Sequence, residues 1–500
     1  MAEDICHVFR TNTGSAAIEG ICLDMSKIGK LHLSPATFLK MRKLRLLKIY
    51  NASAVDESKV YLSEGLDLDL SGCSKLESLP EILEPMENLT FLYLRETAIK
   101  EIPSSLENLN GLEVLNLDMS KNLEFIHEKI FKLTRLEHLI LSGCSKLENL
   151  PSLSVCFHQL IYLDLSDSNI LEVPEWFGLL SSLQRLDLVG TFIEEMPPSI
   201  KGLSNLVYLD VSNCKNLRSL PELPLSLGFF SAQGCTSLET VPSSRTALTQ
   251  GLDQFRDFGN FVFFNCLKLD RNSRNNIMDD AQLRILHVAT RSWLKHASPY
   301  GFDISCFGSE IPTWFNYQCE GSSIHIKLPT RWGNTEIMGF VISVVASFED
   351  YDFDEYLLRL QCKSLFKTDS GEISKFDFVL VDLGGREDNR FINSDHVFLS
   401  YWYGPKDVEK QRTFTERNSV SSIITVNVEI QTLSLTKLEQ VEMELSLLKR
   451  KQNKTMRNHI FKSDTKEDQL SVIASHFYLD FYRGNTLKFK SIEKPGTILE

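Results

Sequence analysis

Apolar positions over the first half of the chain share one spacing. The string LxxLxL recurs at Leu89/Leu92/Leu94, Leu112/Leu115/Leu117, Leu136/Leu139/Leu141, Leu160/Leu163/Leu165 and Leu183/Leu186/Leu188. It continues at Leu206/Leu209/Val211 and degenerates at Leu227/Phe230/Ala232. From Leu92 to Leu209 the middle leucines step by 23, 24, 24, 23 and 23 residues. A second marker keeps the same beat, an apolar residue usually followed by proline: Leu79-Pro80, Ile102-Pro103, Leu150-Pro151, Val173-Pro174, Met196-Pro197, Leu220-Pro221 and Val241-Pro242. Ile126-His127 is the member without proline. Two markers in register at one period predict a leucine-rich repeat solenoid, with a curved parallel sheet on one side and an irregular convex side.

Each position has a physical role. The second and third leucines of LxxLxL alternate, so both point from one short strand into the core while the residues between them face outward. Three residues after the last leucine stands Cys73, Thr97, Ser120, Cys144, Ser168, Thr191, Cys214 or Cys235, predicted to stack as a buried ladder. The prolines suit an outer turn, where a missing N–H costs little. Leu44/Leu47/Ile49 reads as an N-terminal unit; the beat breaks over Asn51 to Leu62, and Gly65 stands where a leucine belongs.

The outward positions form two columns. One carries Phe91, His138, Tyr162, Arg185 and Tyr208; the other carries Tyr93, Asp164, Asp187 and Asp210, with Arg95 beyond the first strand. Tyr and Arg dominate protein-interface hot spots. Three aspartates on successive strands at ~4.8 Å repel one another, a cost that a basic partner surface relieves. These ten residues are the expected protein-binding set; a solvated sheet face is the alternative.

After Pro242 the beat stops. The Phe-rich run Phe261 to Cys266 and a helical pattern near Met278 to Trp293 follow. Beyond Phe302 the texture turns to alternation: Ile324/Ile326/Leu328, Phe376 to Leu383, His396 to Tyr403, Ile424/Val426/Val428/Ile430 and Val441/Met443/Leu445/Leu447. Period-two patterning broken by turn residues predicts an all-β sandwich. The expected organisation is 1–30 as a join to a preceding domain, 31–245 as repeats, 246–295 as cap and connector, and 296–500 as the β-sandwich.

Composition narrows the function. With 53 Lys+Arg against 66 Asp+Glu, the chain lacks the basic excess of a nucleic-acid footprint. The longest apolar stretch, Ile337 to Phe348, is well short of the ~20 residues that span a bilayer, so no membrane partner is expected. Met1 leads straight into Glu3 and Asp4 with no secretory h-region, which predicts a cytoplasmic or nuclear location. The sequons at Asn51, Asn88 and Asn453 are then chance matches, and the basic run from Lys449 reads as a solvated loop. The 11 cysteines are odd in number and include no CxxC pair, so neither a disulfide framework nor a zinc site explains them. There is no GxxxxGK[ST], GxSxG or HExxH, and the expectation is a non-enzyme without cofactor or metal.

Specific strings resemble a known family. Asn12-Thr13-Gly14 with Ile18 to Lys27 resembles the join between a nucleotide-binding domain and the first repeat of plant intracellular immune receptors of the TIR–nucleotide-binding–leucine-rich-repeat type. Ser-Gly-Cys-Ser-Lys-Leu-Glu at 71 to 77 and at 142 to 148 is typical of their repeats. Gly308-Ser309-Glu310-Ile311-Pro312 with Trp314-Phe315, then Gly321 to Ile324, Leu328-Pro329 and Ser394 to Val397, is similar to their post-repeat jelly-roll and Ig-like domain. The resemblance implies recognition of a pathogen effector or a guarded host protein, and restraint of TIR and nucleotide-binding domains. ATP switching and NAD cleavage map to no residue here. The chain is expected to be a receptor's sensing half; the alternative is a scaffold that binds the receptor's own switch domains.

Overall fold

The computed structural model describes residues 20–24, 46–50, 66–72, isolated positions from 74 to 87, 89–151, 158–244, 259–295, 301–315, 317–320, 323–327, 340–348, 351–352, 356–368, 373–383, 391–392, 394–402, 422–434 and 487–492. The expected strand at Val441 to Leu447 and the basic run from Lys449 lie outside them. The chain forms two compact units, Met1–Arg291 and Ser292–Glu500.

In the first unit the strands are β1 (Gly20–Asp24), β2 (Leu46–Tyr50), β3 (Leu66–Asp69), β4 (Leu89–Tyr93), β5 (Glu101–Ile102), β6 (Val114–Asn116), β7 (Phe125–Ile126), β8 (His138–Ile140), β9 (Tyr162–Asp164), β10 (Arg185–Asp187), β11 (Tyr208–Asp210), β12 (Phe229–Ser231) and β13 (Gly259–Phe263). All but β5 and β7, which pair with each other, lie side by side in sequence order in one parallel sheet. Leu92, Leu115, Leu139, Leu163, Leu186, Leu209, Phe230 and Phe261 are successive Cα partners across it. Every one of them is buried. Burying one such side chain is worth roughly 1.5–3 kcal/mol, and each coil gains it only from its neighbours.

The sheet is longer than the expected repeat span. β1 adds a parallel strand before residue 31, and β13 adds one after residue 245. Phe261, Phe263 and Cys266 repeat the offsets of Phe230, Ala232 and Cys235, so the Phe-rich run is one more coil with phenylalanines in the leucine slots.

The predicted ladder is present among the described coils. Thr97, Ser168 and Thr191 donate to the carbonyl three residues back (2.9, 2.5 and 2.8 Å). Ser120, Cys144, Cys214, Cys235 and Cys266 donate to carbonyls of the preceding coil, those of Leu94, Leu117, Leu188, Val211 and Ala232. Each ladder residue follows a residue with left-handed backbone: Gly143 (φ 67°), Asp167 (53°), Gly190 (71°), Asn213 (60°), Gly234 (74°) and Asn265 (60°), but also Glu96 (56°) and Met119 (58°). That conformation lets the N–H reach the next strand's carbonyl, as in Gly190 to Ser212 (2.8 Å). Gly, Asn and Asp adopt it cheaply; Glu96 and Met119 carry the Cβ penalty.

Behind the sheet, short 3₁₀ helices at Ser104–Asn108, Glu128–Lys132, Glu175–Leu179 and Pro198–Gly202 follow the outer turns. Proline precedes three of them. In the coil without it, His127 Nδ1 accepts from Lys129 N (3.2 Å) and caps the helix instead. Helix α1 (Arg271–Lys295) starts seven residues before the expected pattern because Asp270 caps it, accepting from Ser273 N (2.6 Å). Ser273 Oγ accepts from Val241 N, Asn276 donates to Val241 O, and Arg284 stands 4.5 Å over the Phe261 ring, so α1 closes over the last coils.

The second unit is antiparallel. Its strands are β14 (Phe302–Phe307), β15 (Tyr317–Glu320), β16 (Ser323–Lys327), β17 (Phe340–Ser347), β18 (Tyr351–Asp352), β19 (Tyr356–Thr368), β20 (Ile373–Leu383), β21 (Phe391–Ile392), β22 (Asp395–Trp402), β23 (Ser422–Ser434) and β24 (Leu487–Ile492). One sheet runs β14-β22-β17-β24-β15 and a second β16-β23-β19-β20; they meet where β20 approaches β22. β22 is buried continuously from His396 to Tyr401, so both its faces are covered. His396 lies among the rings of Phe307, Phe348 and Phe398 (centroids 6.0, 5.8 and 6.5 Å), and burial depresses its pKa to about 4.

Candidate partner-binding face of the solenoid

Because strand side chains alternate, the residues flanking each buried leucine must face away from the core, and the register aligns them. One column runs Phe91, Val114, His138, Tyr162, Arg185, Tyr208, Phe229 and Asn260. The next runs Tyr93, Asn116, Ile140, Asp164, Asp187, Asp210, Ser231 and Val262. The ten expected residues therefore fall on one face but in two groups.

The smaller group is Phe91, Tyr93 and Arg95. The two rings stack at 6.3 Å, and Arg95 Nε meets Asp118 at 3.0 Å and Glu96 at 3.2 Å. The larger group spans β8 to β11. Three successive strands read Tyr-Leu-Asp, Arg-Leu-Asp and Tyr-Leu-Asp, and each first residue reaches its own aspartate: Tyr162 Oη to Asp164 (2.8 Å), Arg185 to Asp187 (2.9 Å) and Tyr208 Oη to Asp210 (3.2 Å). The Arg185 guanidinium lies over both tyrosine rings, 5.2 Å from Tyr162 and 4.0 Å from Tyr208. His138 meets the Tyr162 ring edge-on at 6.0 Å.

The aspartate column is neither bare nor equivalent along its length. Ser166 bonds Asp164 through N and Oγ, and Ser212 N bonds Asp210. Asp187, in the middle, is buried and its carboxyl is pushed up to about 6. Burial is the main cause and the flanking Asp164 and Asp210 add to it, against the pull of Arg185. Burial also holds the Tyr162 and Tyr208 hydroxyls protonated far above the ordinary range. The same burial raises the ladder thiols Cys144 and Cys214 to about 12, which disfavours the thiolate.

Phe229 escaped the sequence reading. It stacks on Tyr208 at 4.4 Å and extends the aromatic column one strand further. The signal was the degenerate unit Leu227/Phe230/Ala232 with Gly234-Cys235, in which Phe229 takes the outward position just before the core Phe230.

Among the described residues no group of His, Cys, Asp and Glu could hold a metal ion, and no helix is long and apolar enough to cross a membrane. Stacked 23- and 24-residue coils with an inward polar ladder and an in-register outward face define a leucine-rich repeat protein. Residues 61–241 match the family model for "Disease resistance protein RPS4B-like, leucine-rich repeats", and residues 306–466 match that for the C-JID domain. The chain is 32% identical to the Arabidopsis thaliana "Disease resistance-like protein DSC1" over 406 residues, covering 77% of this chain and 30% of that protein. It is 30% identical to the Arabidopsis thaliana "Disease resistance protein RPS4B" over 404 residues, covering 79% of this chain and 33% of that protein. Among solved structures, the leucine-rich repeat domain of the type III effector XCV3220 (XopL) is 22% identical with a TM-score of 0.36, covering 41% of this chain and 70% of that one. The chain belongs to the plant TIR–nucleotide-binding–leucine-rich-repeat disease resistance receptors, of which it carries the repeat and post-repeat region. It spans about a third of the length of the curated relatives it matches.

Proposed function

We propose that this chain is the non-catalytic recognition module of a plant immune receptor, which senses a pathogen effector or a guarded host protein through the outward face of β4 to β12. The observation that carries the reading is the in-register array Tyr162–Arg185–Tyr208–Phe229 beside Asp164–Asp187–Asp210. It presents aromatic and charged side chains on a backbone already ordered by packing, so binding costs little further entropy. Restraint of TIR and nucleotide-binding domains, absent from the 500 residues, is the second role, exercised in the cytoplasm or nucleus. The working division is 1–30 as the join, 31–245 as repeats with a further coil at β13, 246–295 as connector and 296–500 as the post-repeat domain.

Co-precipitation from infected tissue tests the reading with Asp164→Lys/Asp210→Lys against the unaltered chain. Loss of the effector or guarded protein is expected. Its retention would count against this face. Loss of the receptor's own switch domains alone would favour the scaffold alternative.

A further inference from the structure

Resting on the reading of the strand face as the partner surface, we propose that its stretch across β9, β10 and β11 docks a cationic segment of a protein partner. One basic side chain sits beside Asp164 and another beside Asp210, on either side of Arg185.

The charge balance of the face supports this. On these three strands the outward columns hold three carboxylates and one cation, Arg185, whose guanidinium is committed to Asp187 at 2.9 Å. Asp164 and Asp210 take their hydrogen bonds from tyrosine hydroxyls and serines of their own coils, all neutral donors. The continuing positions are uncharged: Asn116 and Ile140 on one side, Ser231 and Val262 on the other, with Ser166, Val189 and Ser212 beyond the strand ends. His138 contacts the Tyr162 ring. The surplus of two negative charges is thus bordered by uncharged positions in the same columns.

The aromatic column selects the kind of cation. The gap between Tyr162 and Tyr208 already accommodates a guanidinium, and the tyrosine hydroxyls hold the outer aspartates with an edge toward solvent. An arriving Arg or Lys gains from both carboxylate and ring. Asp187 registers the field directly, because the two flanking aspartates help to raise its carboxyl. A neutral or acidic segment leaves that repulsion in place.

The test uses the full chain and a fluorescein-labelled ten-residue peptide of alternating Arg and Ser, followed by anisotropy at fixed salt, with a Glu-Ser peptide as the counterpart. The chain is expected to bind the Arg peptide and not the Glu peptide. Asp164→Asn/Asp210→Asn should weaken binding about tenfold or more, each single exchange less, while the charge-matched pair Glu194→Gln/Glu239→Gln should change it less than about twofold. Arg185→Gln, which removes the competing cation, should tighten it. Equal binding by the aspartate pair and the control pair would overturn the proposal, as would no binding by the unaltered chain. Either result leaves the strand-face reading standing if Tyr162→Ala/Tyr208→Ala still loses the native partner; a native partner indifferent to all these changes sinks that reading too.

Discussion

The two units bury comparable apolar strands by opposite routes. In the solenoid each strand pairs with the next along the chain, 23 or 24 residues away from Leu92 to Leu209, so each coil meets only its neighbours. In the second unit β22 pairs with β14 and β17, and β17 with β24, so Phe302 opposes Tyr401 and Val344 opposes Phe489. A repeated local rule frees every alternate side chain for a partner. A non-local sheet spends both faces of an inner strand on packing, which is why β22 is buried from His396 to Tyr401.

The largest expected effect tests the local rule. Leu186 is fully buried between Leu163 and Leu209, and Leu186→Ala should cost the solenoid about 3–5 kcal/mol in urea denaturation followed by circular dichroism. A loss under about 1 kcal/mol would show that coils do not depend on their neighbours.

Acid should act on two buried groups with opposite sign. His396 has a native pKa of about 4 against the ordinary 6.5, so its stabilising contribution is complete above pH 6.5 and is lost as pH falls toward 4. Between pH 7 and 5 His396 should take about 2 kcal/mol from the second unit, against the opposite gain from Asp303, whose buried carboxyl is pushed up to about 7, so His396→Phe should make that unit's stability rise over the interval. Asp187 runs the other way. Its native pKa of about 6 lies above the ordinary 3.8, so the folded state takes up the proton first and gains stability as pH falls through 6. The solenoid should gain about 1 kcal/mol over the same interval, and Asp187→Asn should remove the gain. The two contributions are read from urea titrations of each variant against the unaltered chain at both pH values, and contributions of the same sign would refute the assignment.

The smallest effect concerns the left-handed slot. Glu96→Asn should stabilise by about 0.5–1 kcal/mol, since its exposed contact with Arg95 is worth little and Asn tolerates φ near 56°. A loss on thermal melting would mean that Glu96 contributes more than its backbone costs.

The solenoid was legible because its period is written three times, in leucines, in prolines and in the Cys/Ser/Thr ladder. The left-handed residue before each ladder position is a fourth mark, visible as Gly, Asn or Asp at 143, 167, 190, 213, 234 and 265 but hidden at 96 and 119. Legibility ended where Phe replaced Leu at 230, 261 and 263 and the spacing stretched to 31 residues. The face was readable as columns. The pairing inside it was not, since Arg185 reaching Asp187 across two tyrosine rings depends on rotamers that a one-letter pattern does not carry. In the second unit alternation located β16, β20, β22 and β23, but partners a hundred residues apart leave no periodic trace.

The most direct measurement is photo-crosslinking in infected tissue with p-benzoylphenylalanine at either of two positions. One is Tyr208, on the strand face; the other is Leu179, 54% exposed on the 3₁₀ helix behind the sheet. Adducts from position 208 to one defined protein, mapped to a segment rich in Arg or Lys, are expected, with none from 179. Adducts from 179 and none from 208 would place the partner on the wrong side of the coil.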